Sequence, residues 1–563
     1  MHVILDFGRR LAFRRPLQVI SAVHAGEVPA ALEALQQALA AGRHVAGWLG
    51  YELGYALEGR LAPRMPPGAD PLLKLGVFAG PEQGFHPPPG RAWCGPLRPE
   101  WDAAAYGTRF RAVKDYIAAG DIYQANLSFR ARFGFLGDPL GLYESLRAAS
   151  SAPWCGYADD GGRQVISLSP ELFFAATPDG TLAARPMKGT LARGADDAAE
   201  RAALAASEKN RAENLMIVDL IRNDLGRVAE VGSVAVTDLF ALETYPTLHT
   251  MVSTVTARKR GPCGPADILR ALFPCGSVTG APKIRAMEVL RELETSPRGA
   301  YCGALGYFAP DGSAQFNVSI RTLTITGGHE SQKWGELGIG GGVVQDSRED
   351  EEYAECLLKA RFFAAARRPL GLIETLKWDG VFVRLDAHLA RMAASAGVFD
   401  LPFDDAMARA VLNEAVRGRE GPQRVRLALD EAGRHAATAH VLDASPPHWT
   451  FVLSPERLDS RDLLLRHKTD WREVYEAENP GVDETVFCNE RGEVCEGARS
   501  NIFIERDGVL LTPPLSCGLL AGVLRAELIA EGRAREAVLM PDDLKGDVWF
   551  GNSLRGLIKG SRV

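Results

Sequence analysis

The sequence predicts an α+β fold in two units, and three features predict it. Helix-like and strand-like segments alternate irregularly from 101 to 365. The texture changes at 364–371, AAARRPLG. Just beyond, two strand-like runs, LGLIETLKW and VFVRLDAH, flank Asp379-Gly380. That pair suits a type I′ hairpin, because glycine accepts positive φ without strain. The boundary is placed near 368, giving units of 1–367 and 368–563.

Composition narrows the class. The chain has 563 residues and a net charge of −7, with 46% hydrophobic and 24% charged residues, an ordinary globular balance. Mild acidity excludes a nucleic-acid protein, which needs a basic patch to hold phosphates. No apolar run approaches the roughly 18 residues that span a bilayer. The N-terminal MHVILDFGRRLAFRR puts its apolar stretch before its basic residues, the wrong order for a secretory signal. None of the nine cysteines forms a C-x-x-C pair, so neither a disulfide framework nor a structural zinc is expected. A cytoplasmic protein is the expectation.

The elements follow in order. Pro and Gly crowd 61–100, which predicts an extended loop. The stripe Tyr106, Phe110, Val113, Ile117 predicts a helix, stopped by Gly120 and followed by a strand. ENLMIVDLIRNDLGRV predicts a buried helix ending at Gly226. SVAVTDLFAL and TMVSTVTARK predict strands. FPCGSVTGAPKIRAMEVL runs from loop to helix, with Pro282 near a first turn whose free N–H groups favour an anion. Gly340, Gly341 and Gly342 let the backbone approach a ligand closely. Neither glycine-rich loop meets the Walker A pattern or a dinucleotide fingerprint, so nucleotide binding is not expected. Asp386 is expected to cap the helix AHLARMAASAGVF.

Several charged residues carry candidate chemistry. Glu213 enters an otherwise apolar helix, which is costly unless it is paired or bound to metal. Glu351, Glu355 and Lys359 repeat at i, i+4, i+8 on one face. Two carboxylates from distant helices, with positions left for substrate oxygens, is how Mg²⁺ is usually held. The plainer reading is a solvated helix face. Lys188, fixed between Pro186 and Gly189, is a candidate nucleophile or else a loop lysine. Glu171 in SLSPELFF suits a general acid if burial raises its pKa; otherwise it is a strand-start glutamate. Lys468, after DLLLRH, is placed to condense with an aldehyde, and Glu496 could keep a pyridinium nitrogen protonated. The plain reading of either of these two taken alone is a surface charge.

SPE, PMKGT, ENLMIVDLIRNDLGRV, TLHTMVSTV, FPCGSVTGAPKIRAME, YCGALGYF, NVSIRT, GIGGGVV and EEYAECLLKA occur in order. By them, 101–365 resembles the chorismate-utilising enzymes, which include anthranilate, aminodeoxychorismate, isochorismate and salicylate synthases. Residues 1–100 match only through WLGYELGYALE. The resemblance implies large antiparallel sheets with surrounding helices. It implies Mg²⁺ on Glu213 and Glu355, with Arg321 and Lys359 on substrate carboxylates. It implies backbone contacts from Gly276, Ser277, Gly340, Gly341 and Gly342, and places Thr190 and His249 close to the ring. Glu171 would protonate the departing C4 hydroxyl. Water-using members carry a lysine where this chain has Gln124, which implies ammonia as the incoming group. Lys188 stands where anthranilate synthases have alanine, which implies attack at C2 and amination at C4. One departure is Cys275, in place of the usual glycine.

HLARM, LRHKTDWREVYEAE, DETVFCNERGEVCEGARSNIFIE, LLTPPLSCGLLAGVLR and GNSLRGL make the second unit resemble the fold-type IV pyridoxal-phosphate enzymes, D-amino-acid aminotransferase-like in fold. The resemblance makes Lys468 the Schiff-base lysine and Glu496 the partner of the pyridine nitrogen. Arg391 and the N–H groups of Gly522 and Val523 would hold the phosphate. Ser500 and Asn501 would buttress the cofactor, and Asn552 and Ser553 would complete the pocket. Asp470 in KTD and Cys517 depart from the family pattern. Together the two resemblances imply that chorismate and ammonia become 4-aminobenzoate and pyruvate. The alternatives are an aminodeoxychorismate or anthranilate synthase fused to an aminotransferase or to a docking module. No amidotransferase nucleophile motif is present, so a separate glutamine amidotransferase subunit is expected to supply ammonia. The resemblance also allows a homodimer through the second unit.

Overall fold

The computed structural model describes the chain except residues 69, 151, 195, 246–247, 328–332 and 477–480, and the side chains of 190, 192, 248, 333, 365 and 366. The first unit is built on two ten-stranded antiparallel sheets. The longest strand of one is Gln124–Gly137, which pairs with Lys333–Val343 from Ala125↔Val343 to Phe135↔Lys333. The other runs from Met187–Ala192 through Leu248–Arg258, Thr181–Arg185 and Leu172–Ala176 to Gln18–Ala22. Val3, Leu5, Trp48, Val165 and Leu305 form a core where the sheets face each other. Apolar helix stripes cover the outer faces: Val28–Ala40, Glu208–Gly226 and Pro265–Leu272 on the second sheet, and Ala103–Ala118, Lys283–Leu293 and Glu349–Lys359 on the first.

Several elements form where periodicity places them. Tyr106, Phe110 and Val113 are buried on Ala103–Ala118, Asp102 caps it, and Gly120 leaves it at φ 79°. The helix Glu208–Gly226 ends at the expected glycine, and Ala235–Thr244 and Leu248–Arg258 pair as strands. The Pro- and Gly-rich stretch differs from expectation: it contributes Leu73–Phe78 and Ala92–Cys94 to the sheets, because loops account for only its proline clusters.

The second unit opens with Leu372–Trp378, which pairs with Gln423–Leu429 and then His435–Val441. Here the Asp379-Gly380 hairpin does not form. A single bridge, Trp378↔Phe382, closes the turn, and the chain enters a helix at Leu385 after Arg384 adopts φ 56°. Asp386 therefore lies within the first turn, past the position from which it could cap, and pairs with Arg409 at 2.7 Å. An eight-stranded mixed sheet completes the unit. The units share a seam: Trp93 meets Phe399 edge-on at 4.9 Å, and Arg98 pairs with Asp400 at 2.6 Å. No helix among the described residues is long and apolar enough to cross a membrane.

Candidate active sites

The strand Lys333–Val343 is glycine-rich because other side chains occupy the space beside it. A Cβ on Gly342 would lie 2.8 Å from Gln124 Nε2 and 3.0 Å from Lys188 Nζ. One on Gly341 would lie 3.2 Å from Glu352 Oε2 and 3.7 Å from Lys359 Nζ, and one on Gly340 would strike Ser128 Oγ. Lys188 Nζ is 3.6 Å from Glu213 Oε2. Lys359 Nζ is 2.9 Å from Glu355 Oε1 and donates to the Gly340 carbonyl at 3.0 Å. Burial opposes the charge of Glu355, but Lys359 first, then Lys188 and Lys209, outweigh it and hold the carboxyl below its ordinary value. The oxygen donors of Glu213, Glu352 and Glu355 are of the kind Mg²⁺ takes, with lysine ammonium groups balancing them here, so the residues fit that ion.

Glu171 opens the strand Leu172–Ala176 and is 3% exposed. Burial pushes its carboxyl up to about 7, although Ser277 and Lys188 pull the other way. Its Oε1 and both amide atoms of Gln124 are buried without a hydrogen-bond partner among the described residues. Polar atoms left this way are costly unless something else satisfies them. Cys275 Sγ lies 3.2 Å from Ser277 Oγ, and burial lifts the thiol to about 12, so it stays protonated and packs where the resemblance implies glycine. Gly276 is a packing glycine: a Cβ there would sit 2.5 Å from Leu220 of the helix Glu208–Gly226.

Other expected residues are not joined to this cluster by any bond among the described residues. Arg321 sits at φ 49°, and burial lowers its pKa without a carboxylate partner. His249 is fully buried; its Nδ1 lies 3.0 Å from Thr244 Oγ1, and its Nε2 is 3.4 Å from Asp197 Oδ1. Glu351 pairs with Arg348 at 3.3 Å, not with the Glu355–Lys359 pair one turn on. The Thr190 side chain lies outside the described residues, as do Thr247 of TLHTMVSTV and the end of YEAE. Glu352 was missed in the sequence, where i, i+4 spacing drew attention to Glu351. Its burial and its 2.7 Å bond from Ser347 become visible only once the helix is docked.

In the second unit, a cavity of about 490 Å³ is lined by Lys468, Glu496, Arg391, Ser500, Asn501, Gly522, Val523, Asn552 and Ser553. Burial first, then Arg472 and Arg391, push Lys468 down to about 8. Burial pushes Glu496 up to about 7; its Oε1 accepts from Tyr475 at 2.8 Å and its Oε2 from the Leu520 N–H at 3.2 Å. Gly522 precedes the helix Val523–Ala530, and a Cβ there would collide with Asn501 Oδ1. Asn501 Nδ2 donates to the Leu520 carbonyl at 3.0 Å, so it braces that turn. Ser500 donates to Glu484 at 2.5 Å, and Asn552 Oδ1 accepts from the Arg555 N–H at 2.9 Å.

Two residues that sequence reasoning passed over organise this cavity. Glu374 accepts from Arg391 Nε at 2.8 Å and Nη2 at 2.6 Å, and lies 2.6 Å from His388 Nδ1. His388 Nε2 in turn lies 2.8 Å from Ser553 Oγ. Burial would raise Glu374, but Arg391 and His388 outweigh it and hold the carboxyl at about 2. An ionised Glu374 fixes Arg391, whose Nη1 also donates to the Ala521 carbonyl at 3.0 Å, and one N–H on each terminal nitrogen is left for an anion. A depressed lysine, a proton-holding carboxyl, a fixed arginine and a helix start around one cavity fit pyridoxal phosphate. The departures have local roles: Asp470 accepts the Gly371 N–H at 2.9 Å, and Cys517 Sγ lies 3.4 Å from Glu493 Oε2.

The profile of the family described as chorismate binding enzyme matches residues 81–365, and that of amino-transferase class IV matches residues 371–563. Aminodeoxychorismate synthase component 1 of Klebsiella aerogenes is 48% identical over 255 residues, 44% of this chain and 55% of that protein. The protein of that name from Escherichia coli (strain K12) is 44% identical over 253 residues, 44% of this chain and 54% of its own. The chain thus spans about half the length of the curated relatives it matches. The crystal structure of anthranilate synthase component I from Streptococcus pneumoniae TIGR4 shares the fold, with a TM-score of 0.54 at 24% identity, over 64% of this chain and 92% of that one.

Proposed function

Because the chain belongs to the family of chorismate binding enzymes, we propose that its first unit, 1–367, aminates chorismate with ammonia. Its second, 368–563, converts the resulting 4-amino-4-deoxychorismate to 4-aminobenzoate and pyruvate. The observation that carries this reading is a buried carboxyl that keeps its proton near neutral pH, Glu171, acting on the same cluster as Lys188. At about 7, Glu171 is half protonated in neutral solution and can serve as a general acid. Lys188 Nζ bonds to C2 of the ring while the C4–O bond breaks; the hydroxyl takes the Glu171 proton and leaves as water. Ammonia then bonds to C4, and the bond from C2 to Lys188 breaks and returns the amine. Two easier steps replace one difficult substitution. Gln124 has no basic atom with which to activate water, which supports ammonia as the incoming group. Glu213 and Glu355 would hold Mg²⁺, which supplies positive charge for the ring carboxylate. Lys359 adds a charge-assisted bond to a carboxylate.

In the second unit, pyridoxal phosphate supplies an electron sink when bound. Lys468, at about 8, has a usable fraction of free amine near neutral pH. Its Nζ takes the proton from C4 of the substrate as the C3–O bond of the ring breaks; the departing enolpyruvyl group receives that proton on its methylene carbon and leaves as pyruvate, while the ring becomes aromatic. Glu496, steadied by Tyr475, can hold a proton in the same cavity. Arg391, fixed by Glu374, would hold the phosphate together with the turn at Gly522.

Relatives of the first unit are named component 1, and a glutamine amidotransferase is the proposed second component and ammonia source. Incubation with chorismate, ammonium, Mg²⁺ and pyridoxal phosphate tests the whole reading. 4-Aminobenzoate and pyruvate should form in equal amounts. Aminodeoxychorismate without pyruvate would sink the second half and leave a fused aminotransferase. Anthranilate would sink the assignment of Lys188.

A further inference from the structure

The second unit does not wall its own cavity alone. Arg91, in the loop before Ala92–Cys94 of the first unit, lines it. That loop is held in place: the Arg91 carbonyl accepts from the Asp138 N–H at 2.9 Å, and the Gly90 N–H donates to Asp138 Oδ2 at 3.0 Å. Asp138 itself caps the helix Pro139–Ala149. Across the seam, Arg91 Nε donates to Asp462 Oδ2 at 2.7 Å. The other oxygen of Asp462 accepts the Leu464 N–H at 2.9 Å and so caps the turn Leu463–Arg466. Lys468 follows two residues later, and its carbonyl accepts the Ile373 N–H at 2.9 Å. One carboxylate, 11% exposed, thus joins an arginine of the first unit to the turn that sets the lysine. A second cavity of about 460 Å³ lies at the seam and shares Arg91 and Trp471 with the first.

We propose that Arg91 is a positioning residue for the second active site: through Asp462 it fixes the turn that carries Lys468, so the second reaction depends on the first unit being in place. The inference rests on the reading of Lys468 as the cofactor lysine. A largely buried carboxylate deprived of its arginine is left uncompensated, and turning toward water is its cheapest relief. That rotation uncaps the turn and moves the amine, and a displacement of about 1 Å is enough to cost a large part of the rate.

Arg91→Ala, Arg91→Lys and Asp462→Asn are made in the full chain. Pyridoxal phosphate uptake, the pH midpoint of the visible absorbance of the loaded protein, pyruvate release from supplied aminodeoxychorismate, and amination of chorismate are measured on each. Arg91→Ala and Asp462→Asn should lower kcat for pyruvate release about tenfold to a hundredfold and move the absorbance midpoint, with amination unchanged. Arg91→Lys should restore most of the loss, because an ammonium still reaches a single carboxylate oxygen. Unchanged pyruvate release and midpoint in Arg91→Ala overturn the proposal alone. So does an equal loss of both reactions, which would mark a folding defect. Failure of the unsubstituted chain to take up pyridoxal phosphate overturns the reading of Lys468 together with it.

Discussion

Glu171→Gln should make the protein more stable and its first reaction slower, and both effects come from one burial. Burial moves this carboxyl from 4.5 to about 7. At about 1.4 kcal/mol for each tenfold change in proton affinity, charging it in the folded chain costs about 3 kcal/mol more than in the unfolded chain. The folded state therefore holds the proton more tightly. Stability falls as pH rises from the unfolded value toward 7, and the full cost is present above that. Glutamine cannot ionise and escapes the cost. Denaturant unfolding should show the variant ahead of the parent by up to about 3 kcal/mol near pH 8, with the gap closing toward about pH 4. Amination of chorismate should fall by about 10²–10⁴, the usual worth of a positioned acid. In the parent, amination should decline as pH rises through about 7, because the acid must carry its proton. A variant that is less stable than the parent near pH 8, or one that aminates at the parent rate, would refute the assignment of Glu171 as a buried acid.

The second unit should show the opposite pH sense: cofactor uptake should rise through about 8, since burial depresses Lys468 and only the free amine attacks an aldehyde, and a flat uptake profile across that range would count against it. Glu374→Gln removes the anion that fixes Arg391 and His388; charged hydrogen bonds are worth about 1.5–3 kcal/mol, so pyridoxal phosphate affinity should fall by at least about tenfold in an absorbance titration, and an unchanged Kd would remove Glu374 from the cradle. Gly522→Ala drives a methyl into Asn501 Oδ1; it should weaken cofactor affinity while leaving chorismate amination intact, and loss of amination would show that the turn serves more than the cofactor.

What the sequence revealed follows from the range over which each feature acts. The helices at 103–118 and 208–226 repeat their apolar residues every turn, so local periodicity suffices to find them. The hairpin at Asp379-Gly380 misled for the same local reason. Its turn chemistry is right, but the helix that packs Leu389, Met392 and Ala396 into the core starts at Leu385 and takes over the residues that would have been its second strand. Motif order pointed to Lys188, Glu171, Lys468 and Glu496 as candidates, because candidate nucleophiles and acids sit in short, recognisable strings. The residues that hold such groups carry no string of their own. Glu374 reaches His388 across 14 positions and His388 reaches Ser553 across 165, while Arg91 reaches Asp462 across 371. Each is an ordinary charge or hydroxyl until folding removes water from around it, and only then does pairing become obligatory. That asymmetry matters most at the seam. A motif search divides the chain into two independent halves, whereas an ion pair of 2.7 Å makes the turn before Lys468 a shared structure.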